Sequence, residues 1–233
     1  MAAGARTVRW IAALSLAVNA AVAAVYLARH LASPVPGRPS REVARAALFR
    51  ELATGAAAER EVVVLGDSLT ERGEWAELLE RPVANRGIAG DTVADVRARL
   101  DDIVALEPRV LFVLVGVNDL AAGAWPAVLA IQHAALATDL RRRLPRTRII
   151  VESLLPIRDE IVARDGALTT AAVRRTNELV QRATAGSGAE WLDVHAVLAD
   201  ATGELDPRYA SDGVHLSPAG YRAWAAALRP YLP

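Results

Sequence analysis

Two residue types are missing from this 233-residue chain. It has no cysteine, which excludes disulfides, thiol catalysis and cysteine-ligated metal sites. It has no lysine either, so all 27 cationic side chains are arginine. Abundant alanine with arginine in place of lysine reads as the codon bias of a GC-rich genome. Net charge is also lacking: 27 acidic and 27 basic side chains leave +0, and nothing global points to nucleic acid. No internal repeat is present, and no low-complexity segment beyond the alanine bias. The length suits one core domain with an appendage, rather than two full domains.

Residues 10–27 are apolar except for Ser15 and Asn19, with Arg6 and Arg9 before them and Arg29 and His30 after. A hydrocarbon core of ~30 Å takes about 20 such residues, whereas a cleaved secretory signal has an apolar region of roughly 7–15. The length favours an uncleaved signal anchor within 1–32, with the rest of the chain on the extracytoplasmic side. Ala21 and Ala23 leave cleavage, and hence secretion, as the alternative. Residues 33–40 form a proline-rich linker that cannot continue a helix. Residues 41–60 follow as a short helical element packed on the domain.

From residue 61 onward, apolar runs alternate with helical stretches. The expected strands are 62–65, 82–85, 110–115, 148–153 and 190–194. The expected helices are 74–80, 92–107, 126–144, 169–185 and 218–228. Within 92–107, Val93, Val96, Leu100, Ile103 and Val104 share one face, with arginines and aspartates opposite. The run 110–115 is apolar without alternation, as in a central parallel strand covered on both sides. These repeats imply a three-layer α/β/α sandwich around a five-stranded parallel sheet. Its site belongs beyond the carboxyl ends of the strands.

Three polar blocks fall at such ends, Gly66-Asp67-Ser68-Leu69, Asn85 to Thr92 and Gly116-Val117-Asn118-Asp119, and a fourth, Asp212-Gly213-Val214-His215, lies near the carboxyl terminus, where the topology brings it to the same edge. Together they contain what ester hydrolysis needs. Ser68 is the candidate nucleophile. His215 can take its proton and return it to the leaving alcohol, and Asp212 can fix the imidazole tautomer. The oxyanion donors are the backbone N–H groups of Ser68 and Gly90 and the side-chain amide of Asn118.

Each residue also has a plainer reading. Ser68 alone would be a helix N-terminal residue, Gly90 a permissive turn and Asn118 a turn former. Asp67 is expected to bond backbone around its turn, Asp119 to brace its loop and Asp91 to cap a helix. His195 follows a strand end and rivals His215, but lacks a carboxylate at matching spacing. His133 lies within a long helix as a structural residue. No histidine pair has metal-ligand spacing, and residues 66–71 lack a phosphate loop's lysine. Neither a metal nor a cofactor is required.

The four ordered blocks resemble the SGNH hydrolase superfamily, also called GDSL lipases or esterases, over residues 62–232. Its four namesake positions fall on Ser68, Gly90, Asn118 and His215. The block Asn85-x-Gly87-Ile88-x-Gly90-Asp91-Thr92 is similar to the branch of platelet-activating-factor acetylhydrolase-like and lysophospholipase-like members. The resemblance implies a flavodoxin-like SGNH fold over 61–233. It also implies a serine esterase acting on small-molecule, lipid or glycan esters. An acyltransferase or polysaccharide O-acetylesterase could use the same residues, and a non-catalytic binding protein could use the same scaffold.

Overall fold

The computed structural model describes residues 40–53, 61–162, 166 and 168–233. The apolar segment 10–27 and the linker, apart from Ser40, lie outside them. Among the described residues no helix is long and apolar enough to cross a membrane.

Five strands form one parallel sheet: β1 (Val62–Gly66), β2 (Val83–Gly87), β3 (Val110–Leu114), β4 (Arg148–Glu152) and β5 (Glu190–Leu192). Their spatial order is β2-β1-β3-β4-β5. The chain leaves β1 toward one edge and builds from β3 toward the other, so the order reverses between β1 and β3. A crevice opens at such a switch point, beyond the strands' carboxyl ends.

Both faces of the sheet are covered, and side-chain alternation divides the core accordingly. Val62, Val64, Phe112, Leu114 and Ile150 pack on one side with Trp75, Tyr221 and Trp224. Val63, Leu65, Leu111, Val113 and Ile149 pack on the other with Val93, Val96, Leu100, Ile103, Leu136 and Leu140. The helices, in chain order, are α1 (Ser40–Ala53), α2 (Ser68–Glu71), α3 (Trp75–Leu78), α4 (Val93–Ala98), α5 (Leu100–Val104), α6 (Val117–Ala121), α7 (Pro126–Arg143), α8 (Asp159–Val162), α9 (Thr170–Thr184), α10 (His195–Leu198) and α11 (Pro218–Leu228). Helix α1 is attached through Phe49, which is buried with the guanidinium groups of Arg45 and Arg86 4.9 and 4.5 Å from its ring centre. Arg45 Nε also donates to the Gly87 carbonyl at 2.7 Å.

Three local expectations change. Strand β2 starts after Pro82, which has no N–H for the ladder, and runs on to Gly87. The segment 92–107 is two helices broken at Arg99. Asp91 is not the cap of α4: Thr92 is, through a capping box with Asp95, because its hydroxyl reaches the third backbone N–H of the helix.

Glu152 ends β4 buried in this core, with the Trp224 indole N–H donating to it. Burial pushes its carboxyl up from 4.5 to about 8, against the opposing effect of the indole hydrogen bond. The unfolded chain releases this proton near the ordinary value while the folded protein keeps it. The stability contributed by the group is therefore full below about pH 4.5 and is lost as pH rises toward 8. Glu152→Gln is expected to lose less melting temperature than the wild type between pH 5 and pH 8. Equal losses in calorimetry would show that this carboxyl does not set the dependence.

Candidate active site

The site begins where β1 ends. Gly66 lies against β3 so closely that a Cβ there would stand 2.1 Å from the Leu114 carbonyl oxygen. Gly87, its partner on β2, likewise faces the Glu71 backbone N, 2.2 Å from a Cβ position. Two missing side chains thus let the four-residue helix α2 lie on the strand ends. Asp67 is its N-cap, with Oδ1 accepting from the Leu69 N–H at 2.9 Å, which matches the expected turn-bonding role. Ser68 is the first helical residue, where a backbone N–H has no intrahelical acceptor.

The carbonyls of this segment are taken by side chains from elsewhere. Tyr221 Oη donates to Leu69 O at 2.8 Å, and Trp75 Nε1 donates to Thr70 O at 2.8 Å. The Asn85 amide lies 3.0–3.1 Å from the carbonyls of Thr70, Glu71 and Gly73. Sequence reasoning quotes Asn85 as the first residue of a motif block without giving it this role, and does not single out Trp75 or Tyr221. An amide at a strand end and aromatics on helices carry no signature of this role.

From the other end of the chain, the loop before α11 brings His215 to Ser68. Ser68 Oγ and His215 Nε2 are 3.1 Å apart. His215 Nδ1 and Asp212 Oδ2 are 2.9 Å apart, while Asp212 Oδ1 accepts from the Val214 and His215 N–H groups at 2.8 and 2.7 Å. Burial pulls the Asp212 carboxyl up, but these backbone donors and the imidazole together hold it below the usual value. It is therefore a carboxylate at neutral pH, facing the ring nitrogen opposite the serine. His195 is not part of this arrangement: it starts α10, its N–H bonds Ser153 Oγ, and burial lowers its ring pKa against the nearby Asp193. His133 is buried in α7, 3.1 Å from the Val115 carbonyl through Nε2. Burial lowers its pKa to about 4, so it is neutral and structural.

The second and third blocks meet beside the crevice. Gly90 adopts φ +81° with open space around its missing Cβ. Asn118, in α6 after β3, donates through Nδ2 to the Asp91 carbonyl at 2.9 Å. A primary amide has two N–H groups, so this bond orients the side chain and leaves one donor. Asp119 braces the same loop as expected, its Oδ2 accepting from the Val93 N–H at 3.1 Å. Asp91 instead pairs with Arg99, Nε to Oδ2 at 2.7 Å, both side chains buried. The sequence reading places the arginines of 92–107 opposite its apolar face, whereas Arg99 is buried. Its place three residues after Val96 and four before Ile103 was the available signal for the buried stripe.

A three-layer parallel α/β domain with a serine, an imidazole and a carboxylate in register defines a hydrolase of the SGNH type. The chain belongs to the GDSL-like lipase/acylhydrolase family, whose model matches residues 64–223, and it acts on ester bonds. Among solved structures it is similar to a Streptococcus pneumonia protein assigned as a platelet activating factor, at 25% identity and TM-score 0.75 over 93% of this chain and 99% of that one. A GDSL-like lipase from Bacteroides thetaiotaomicron shares the fold at 20% identity and TM-score 0.67, over 82% and 96% of the two chains. The acetyl xylan esterase AlAXEase does so at 17% and 0.61, over 74% and 99%. No curated protein matches the chain.

The two kinds of glycine in the site separate experimentally. Gly87→Ala places a Cβ on α2 backbone and is expected to unfold the protein or lower its urea midpoint sharply. Gly90→Ala meets no neighbour and should cost only the left-handed backbone strain of about 1–2 kcal/mol. The reverse ranking in urea denaturation would contradict the packing described.

Proposed function

We propose that the protein is a serine esterase that hydrolyses a carboxylic ester through an acyl-enzyme. The observation that carries the reading is the continuous contact from Ser68 Oγ to His215 Nε2 and from His215 Nδ1 to Asp212. It joins groups 147 residues apart in the chain. Ser68 Oγ attacks the ester carbonyl as His215 Nε2 takes its proton. Asp212 stabilises the imidazolium, and the same proton then goes to the leaving alkoxide. Water, activated by the same imidazole, attacks the acyl-serine and restores the hydroxyl. The Ser68 and Gly90 N–H groups and the free Asn118 N–H receive the oxyanion in both steps.

The family together with the sequence supports lipid-derived esters, or short acyl and acetyl esters, as the substrate class. Transfer to an acceptor alcohol instead of water would use the same acyl-serine. An apolar run of anchor length at 10–27 supports attachment to a membrane with the catalytic domain on the extracytoplasmic side. Sodium carbonate extraction of the expressed full chain tests this, with the protein expected in the pellet. Recovery in the supernatant would contradict it.

A panel of p-nitrophenyl esters from acetate upward tests the chemistry. Ser68→Ala is expected to abolish turnover in a folded protein, and Asn118→Ala to lower kcat by about 10²–10³. Wild-type turnover by Ser68→Ala would overturn the assignment.

A further inference from the structure

Arg99 stands at the break between α4 and α5, where its backbone leaves the helical region at φ −112°, ψ 22°. Its side chain is only 8% exposed. The head group makes contacts on three separate segments. Nε donates to Asp91 Oδ2 at 2.7 Å, and Nη2 lies 2.7 Å from the Arg86 carbonyl and 3.2 Å from the Gly66 carbonyl. Gly66 is the last residue of β1, two positions before Ser68. Arg86 is near the end of β2, and Asp91 directly follows Gly90. The Asp91 carbonyl is in turn the acceptor that orients Asn118.

One planar fork therefore touches the segments that carry two of the three oxyanion donors, Ser68 and Gly90, and reaches the third, Asn118, through the Asp91 carbonyl. We propose that Arg99 is the positioning residue of the oxyanion site, fixing the Gly90-Asp91 loop and, through it, Asn118 against the strand end that presents Ser68. The proposal rests on the esterase reading above. A guanidinium suits the task because its donors lie in one rigid plane and can hold a carboxylate and carbonyls together. A lysine ammonium at the same place keeps the charge beside Asp91 but lacks the fork. Oxyanion donors work only within a narrow distance range, so a small shift of the loop is felt in the chemical step rather than in substrate capture.

Steady-state kinetics on p-nitrophenyl acetate test this with Arg99→Met and Arg99→Lys, each alone and combined with Asn118→Ala. Displacing a reacting geometry by about 1 Å can cost ~10²-fold, so Arg99→Met is expected to lose about that in kcat with KM within about threefold. Arg99→Lys should fall between Arg99→Met and the wild type, a partial rescue that simple loss of packing does not give. Each loss should shrink in the Asn118→Ala background, because one donor that Arg99 positions is already gone. Should Arg99→Met fail to fold by circular dichroism, the lysine variant carries the same comparison. Wild-type kcat in folded Arg99→Lys, or a full multiplicative loss with Asn118→Ala, would overturn the proposal. An inactive Ser68→Ala beside a fully active Arg99→Lys removes the Arg99 assignment alone. An active Ser68→Ala removes the esterase reading and this assignment with it.

Discussion

Ser68 depends on a helix too short to hold itself. Isolated helices under about 12–15 residues are marginal in water, and α2 has four. Its geometry is imposed from outside, by glycines that let it touch the strand ends and by side chains that take its carbonyls. A single such hydrogen bond contributes about 0.5–1.5 kcal/mol, so no one of Tyr221, Trp75 or Asn85 decides the matter by energy. What they supply jointly is direction. Tyr221 belongs to α11, the helix that follows the His215 loop, so Ser68 and His215 lean on the same element. Trp75 and Trp224 pack edge to face beneath them, 4.7 Å between ring centres.

Burial then separates the carboxyl groups of the polar blocks. Asp67 and Asp119 are enclosed, and burial raises both to about 7 despite the backbone N–H bonds that oppose it. Asp212 lies nearer solvent, accepts two backbone N–H groups and faces an imidazole, and its pKa falls. Of the three, Asp212 is the one placed against the His215 ring, and the proposed esterase reading gives it the stabilisation of a transient imidazolium. Asp67, one residue from Ser68, bonds the backbone of its own turn instead. The environment, and not proximity in the chain, sets the role.

Much of this was readable from residue patterns. Short apolar runs such as 62–65 and 110–115 between amphipathic stretches specify buried parallel strands, and the first three polar blocks fall where such strands must end. Pairing Ser68 with His215 in place of His195 followed from a carboxylate three residues away, a spacing that one turn can close. The supports were less visible. Arg99 reads as one of the charges opposite an apolar face and Asp91 as a helix cap, because an ion pair becomes a buried one only when tertiary contacts close over it. Asn85, Trp75 and Tyr221 act on backbone carbonyls, and a carbonyl leaves no mark in a sequence. The break at Arg99 was hidden because the apolar spacing of 92–107 continues through it.

The central claim is that Ser68 is made nucleophilic by His215. Intact-mass and peptide analysis after exposure to a fluorophosphonate tests it most directly. The account predicts one phosphonyl group per chain, on the peptide containing Ser68, and none in folded His215→Ala over the same time. An adduct on another residue, or equal labelling without His215, would contradict it.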